Sequence, residues 1–105
     1  ARTEKLATML RRHFPTITIS TEAPDMTALD IAVNGSPVGM NGDPNLPMSL
    51  EGIPSTAIVC DAVTAPEQTP WLKAAAEIGC KTSTGSDMVR GHFPILCSHF
   101  GFKPD

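Results

Sequence analysis

Four short stretches carry the side chains that could do chemistry. The first is Arg2-Thr3-Glu4-Lys5, two cations and a hydroxyl where a helix is about to begin. Unpaired backbone amides point outward at such a place, so the cluster has the makings of an anion site. The second is Asn34-Gly35-Ser36-Pro37-Val38-Gly39-Met40, small and turn-forming residues directly after the apolar run Leu29–Val33. A buried strand that stops on such residues lets backbone come close to a flat ligand, which is where open parallel sheets hold nucleotides. The third is Asp61-Ala62-Val63-Thr64, again at an apolar strand end, and the fourth is Gly85-Ser86-Asp87-Met88 with His92 one turn on.

Each stretch also has a plainer reading. Arg2 to Lys5 could be a solvated first turn with Thr3 as its cap. Asn34 to Met40 could be an ordinary Gly/Pro loop. Asp61 to Pro70 is, in any case, a strand end leading into a capped helix. His92 is either a ligand contact or a partly buried helix residue.

The elements that must position these residues follow from pattern. Thr3 caps a predicted helix whose Leu6, Met9, Leu10 and His13 share one face, and Pro15 stops it. Thr16-Ile17-Thr18-Ile19-Ser20 alternates and is β-branched, which predicts a half-buried strand. Ala23 to Thr27 is a polar turn, and Leu29–Val33 is the next strand. From Val38 to Ser55 glycine and proline are dense, predicting a long loop with one helical turn near Ser49–Glu51. Ala57–Asp61 is a continuous apolar run, as in a parallel sheet covered on both faces. Thr69 as N-cap, Pro70 at the first helical position and Gly79 as terminator frame a helix with Trp71, Leu72, Ala75 and Ile78 on its inner stripe. Cys80-Lys81-Thr82 is a short final strand. A last helix from Ser86 to Phe100 packs Met88, Val89, Phe93, Leu96, Cys97 and Phe100, with a kink at Pro94. The order is α/β, with parallel pairing.

At 105 residues and 41% apolar content the chain has room for one small domain or part of one. A net charge of −3 offers no basic field for nucleic acid, and no apolar run is long enough to span a membrane. Cys60, Cys80 and Cys97 sit inside apolar sequence as reduced core thiols, which fits the cytosol. His13, His92 and His99 lack partners at metal-ligand spacing, so no metal site is expected.

Taken together, the four stretches resemble the cofactor-binding domain of the shikimate dehydrogenase family, over roughly Arg2 to Gly101. Arg2 and Thr3 match the family's Asn-Arg-Thr motif, with Ala1 in place of the asparagine and Lys5 standing one place before the family's next basic residue. Asn34, Gly39 and Met40 match an Asn-Ala-Thr-x-x-Gly-Met stretch in register, with Gly35 and Ser36 as conservative swaps. Asp61 to Leu72 is similar to Asp-x-Val-Tyr-x-Pro-x-x-Thr-x-Leu-Leu, with Thr64 replacing the tyrosine; Gly85 and Met88 match Gly-x-x-Met, with His92 replacing a glutamine.

The resemblance implies a partial Rossmann-like, doubly wound parallel sheet with flanking helices. It implies NADP as cofactor, with Arg2, Thr3 and Lys5 at the ribose phosphate. Asn34, Gly35, Ser36, Met40, Ala62, Gly85 and Met88 would lie along the dinucleotide, and Thr64 and His92 near a small hydroxylated cyclohexene carboxylate. An arginine at this ribose favours NADP over NAD, whose sites prefer an acid there. The first strand with its Gly-rich pyrophosphate turn, and the family's catalytic Lys-Asp pair, have no counterpart in these residues. The chain is therefore expected to be inactive alone: the C-terminal part of a longer polypeptide, or a unit that folds by associating with itself. The alternative is a non-catalytic α/β domain that keeps the scaffold for ligand binding or subunit association.

Overall fold

The computed structural model describes residues 2–103; Ala1, the substituted first position of the Asn-Arg-Thr match, lies outside the described residues. Three short parallel strands form the centre: β1 (Ile31–Asn34), β2 (Ile58–Asp61) and β3 (Lys81–Ser83), in the order β1-β2-β3. Helix α1 (Arg2–His13) precedes them, α2 (Pro70–Ile78) links β2 to β3, and α3 (Gly85–His99) follows. The α/β class and the parallel pairing agree with the sequence. Register places Ala32 beside Val59 and Asn34 beside Asp61, so strand alternation turns all four toward the same side.

That side is the core. Val59, Leu72 and Ala75 are wholly buried, and Ala32, Leu50, Ile53, Ala57, Trp71 and Cys80 pack with them. Helix α2 lies on the sheet through Trp71, Leu72 and Ala75, while Ile78, the fourth residue of the expected stripe, sits in the last turn and is 41% exposed. Thr69 Oγ1 accepts from the Leu72 amide at 3.2 Å, Pro70 fills the first turn, and Gly79 ends the helix at φ 100°, a conformation glycine adopts without strain. The crossover from β1 to β2 is a loop rather than a helix, pinned by burial of Leu50 and Ile53. Its helical turn is at Met40–Gly42; the one expected near Ser49–Glu51 is a tight turn closed by the Ile53 amide on the Leu50 carbonyl at 3.1 Å.

The strand expected at Thr16–Ser20 does not form. A strand exists only when a neighbour accepts its hydrogen bonds, and no described strand lies beside it. Instead the Arg11 guanidinium donates to the Ile19 carbonyl at 2.9 and 3.2 Å, and the Thr21 hydroxyl donates to Glu4, tying this segment back onto α1. Thr3 lies inside the first turn of α1 rather than at its cap, because the helix already runs from Arg2.

The expectation that both sheet faces are covered also fails. Ile31 and Val33 are 58% and 59% exposed, and Ile58 and the half-buried Cys60 continue the same face. The predicted inner stripes of the outer helices are bare as well. On α1 Leu6 and Met9 are exposed, and on α3 Met88, Val89, Phe93, Leu96 and Phe100 are; Ala7, Gly85 and Cys97 are buried. No described element lies against those stripes, so periodicity alone misjudges their burial. The radius of gyration, 16.0 Å, exceeds the roughly 13 Å of a compact domain this size. Accessible surface is 7727 Å², against about 5,700 Å² for a compact monomer of this mass. Helix α3 is unbroken across Pro94, starts one residue earlier than expected, and is capped by a Thr84–Asp87 box.

Inside the core one polar atom stands out. Trp71 is 1% exposed, and its indole Nε1 has no hydrogen-bond partner among the described residues. Replacing Trp71 by phenylalanine removes that orphan donor with modest loss of volume. Trp71→Phe is therefore expected to shift unfolding by less than about 1 kcal/mol, whereas Trp71→Ala costs about 3–5 kcal/mol. Denaturant titration of both variants checks the contrast, and equal losses would contradict it.

Candidate functional site

The C-terminal ends of β1 and β2 and the start of α3 meet in one place. Asn34, 3% exposed, ends β1; its Nδ2 donates to the Val38 carbonyl at 3.0 Å and to Asp61 Oδ1 at 3.1 Å. Its Oδ1 accepts from the Ser36 amide at 3.0 Å and the Ser36 hydroxyl at 2.6 Å. Four bonds thus use both ends of one amide, which folds residues 34–38 into a tight loop.

Asp61 is the other half of the pair. It is fully buried, and besides Asn34 it accepts from the Val63 amide at 2.9 Å and from the Thr69 hydroxyl at 2.9 Å. The Ala62 amide donates to the Asn34 carbonyl at 3.0 Å, and the Asn41 amide to the Ala65 carbonyl at 2.8 Å, so the two strand-end loops are stitched along their length. Gly39 has φ 91° and packs near Thr69 and Pro70, where a Cβ would come within 3.7 Å of the Thr69 Cβ. Gly85 brings α3 in: a methyl there would overlap the Val63 carbonyl and lie 2.7 Å from the Ala62 oxygen. Only glycine lets the helix start this close to the strand end.

The outcome is an open ledge of small groups. Gly35, Ser36, Ala62 and Thr64 are exposed on it, with Met40 at its margin. Along α3, Gly85, Met88 and His92 follow at helical spacing on one face, and the latter two are exposed. The structure therefore joins Asn34, Ser36, Ala62 and Gly85 directly and sets Gly35, Met40, Thr64, Met88 and His92 on the adjoining segments. It does not bring Arg2, Thr3 and Lys5 to them. These are exposed on the first turn of α1, and among the described residues no hydrogen bond or ion pair joins them to the strand-end loops.

Two carboxylates beside the ledge have their charge favoured by hydrogen bonds. The Asn45 amide, then the Gly39 amide, hold the Asp43 carboxyl below its ordinary range. For Asp87 the Thr84 amide is the main cause, with the Thr84 side chain and Arg90 adding to it. Sequence reasoning missed three participants: Thr69 as a partner of Asp61, Asn41 with its positive φ of 53°, and the Thr84–Asp87 box. Only the box had a local signal, a threonine three residues before an acid.

The fold and this strand-end ledge define a Rossmann-like α/β domain. The chain overlays 99% of its length on a 5-ketofructose reductase of Gluconobacter sp. strain CHM43, with TM-score 0.80, 26% identity and 40% of that chain covered. A Thermus thermophilus shikimate 5-dehydrogenase, in complex with NADP(H) and shikimate, matches with TM-score 0.76 and 26% identity, over 99% of this chain and 40% of that one. By sequence, the shikimate dehydrogenase (NADP(+)) of Sphingopyxis alaskensis is 43% identical over 87 residues, 76% of this chain and 32% of that protein. The Exiguobacterium sp. enzyme of the same name is 30% identical over 105 residues, 99% of this chain and 40% of that protein. No family model matches. The chain belongs to the shikimate dehydrogenase family over the stretch it shares with these relatives, and it spans about a third to two fifths of their length.

The depressed carboxyl of Asp87 gives a pH test. A folded-state value below the unfolded one means stability that is present above the ordinary carboxylate range and lost as pH falls through the folded value. The first turn of α3 is expected to loosen as pH falls below the ordinary carboxylate range, about pH 4, read as a lower protection factor at the Thr84 amide, which the Asp87 carboxylate holds. Asp87→Asn should flatten that dependence; an unchanged acid limb would contradict the assignment.

Proposed function

We propose that these residues are the C-terminal part of the NADP-binding domain of a shikimate dehydrogenase-like oxidoreductase. The protein would interconvert 3-dehydroshikimate and shikimate, or a close hydroxylated cyclohexene carboxylate, in aromatic amino acid biosynthesis. The observation that carries the reading is the stitched ledge of small exposed residues at the ends of β1 and β2, in a family whose named members use NADP.

The residues present fit both ends of a dinucleotide. Gly35, Ser36 and Ala62 leave a flat, side-chain-poor surface on which an aromatic ring can lie against backbone. Arg2, Thr3 and Lys5 offer two cations and a hydroxyl at a helix N-terminus for a phosphomonoester. The pyridine nucleotide supplies a hydride acceptor and donor when bound. This chain's part is to hold and orient it, with Gly85 and Met88 bordering the ring and Thr64 and His92 facing the substrate side. We assign no catalytic acid or base to these residues, so the activity belongs to a longer polypeptide. The bare sheet face at Ile31, Val33 and Ile58 and the excess accessible surface support that view, since parallel sheets are ordinarily covered on both faces. The reading carries with it a cytosolic location, in which the unpaired Cys60, Cys80 and Cys97 stay reduced.

The coenzyme assignment rests on Arg2. In the whole protein, Arg2→Ala is expected to weaken NADPH binding by about ten- to a hundredfold, the worth of a charge-assisted bond. NADH binding should hardly move. Fluorescence titration with both coenzymes measures the ratio, and an unchanged ratio would overturn the assignment.

A further inference from the structure

We propose that Asp61 is a positioning residue for the nucleotide ledge. Its buried carboxylate is the pin that sets the loop after β1 against the start of α2. The proposal rests on the function proposed above for what the ledge binds, but its geometry stands independently.

A buried carboxylate is costly unless donors meet it. Asp61 has three, each from a different part of the site: Asn34 Nδ2 from the end of β1, the Val63 amide from its own loop, and Thr69 Oγ1 from the α2 cap. Two of those donors do further work. Asn34 uses the rest of its amide to hold Val38 and Ser36, and Thr69 accepts from the Leu72 amide. One chain of hydrogen bonds therefore runs from Ser36 through Asn34, Asp61 and Thr69 to the first turn of α2. Its polarity is fixed throughout. Asn34 must present its NH₂ to Asp61 because its oxygen is taken by Ser36, and the Thr69 hydroxyl, which accepts from the Leu72 amide, gives its one hydrogen to Asp61. Only a group that accepts at both oxygens completes it, which an ionised carboxylate does and an asparagine does not. No exposed atom of Asp61 is available to touch a ligand, so its effect on binding must pass through the loop.

The test uses the whole protein with Asp61→Asn, Thr69→Val, Thr69→Ser and Leu72→Ala, read by amide exchange at Ser36 and Asn41 and by NADPH affinity. Asp61→Asn and Thr69→Val are expected to speed exchange at both amides and to weaken NADPH binding by about tenfold, one charged hydrogen bond's worth. Thr69→Ser, which keeps the hydroxyl, should restore both readouts. Leu72→Ala, which removes only core packing, should lower the melting temperature and leave loop exchange and affinity alone. Unchanged exchange in Asp61→Asn, or an equal effect from Leu72→Ala, would overturn the proposal. Failure of the unsubstituted protein to bind NADPH would instead overturn the proposed function, and loop exchange alone would then decide the role of Asp61.

Discussion

A carboxylate with no exposed surface stands at the end of the middle strand, and the arrangement of the site depends on how it is satisfied. Removing one partner of a buried charge leaves the remainder uncompensated, a loss usually larger than the bond itself. Asp61 therefore constrains everything it touches: the register that puts Asn34 beside it, the amide orientation of Asn34, and the rotamer of the Thr69 cap. A slip of one residue between β1 and β2 would turn Asn34 to the opposite face and strand the charge. The same bonds that make the fold specific also shape the ledge, so positioning and stability share one cause here.

The covered half of the molecule is the part most legible in the sequence. Thr69, Pro70 and Gly79 mark the bounds of α2 because capping is local chemistry, decided within a few residues. Ala57 to Asp61 reads as a strand because a continuous apolar run is what a central parallel strand ordinarily carries, and the strand forms at Ile58–Asp61 even though Ile58 lies on the bare face. The uncovered half misleads for one reason. Thr16–Ser20 has every local preference of a strand, yet pairing is supplied from elsewhere in space, and here the Arg11 side chain occupies one of its carbonyls. Leu6, Met9, Phe93 and Leu96 likewise carry a helical apolar period, but period says which residues share a face and not what covers it.

For the site, residue type was informative and partnership was not. The run of small residues from Asn34 to Met40, and the glycine at 85, announced close backbone approach, and the Val63 and Ala62 carbonyls account for the latter. The bond between Asn34 and Asp61 joins residues 27 apart in sequence, and only strand register reveals it. Arg2, Thr3 and Lys5, proposed above for the phosphate, lie on the first turn of α1, which no hydrogen bond or ion pair joins to the ledge among the described residues.

On the proposed function, the ends of β1 and β2 and the start of α3 form a single nucleotide surface. Amide chemical shifts of the whole protein during an NADPH titration test it most directly. Ser36, Gly39, Ala62, Thr64 and Gly85 are expected to move together along one binding curve while Val59 and Ala75 in the core stay still. Shifts that bypass these five, or that divide into separate curves, would contradict it.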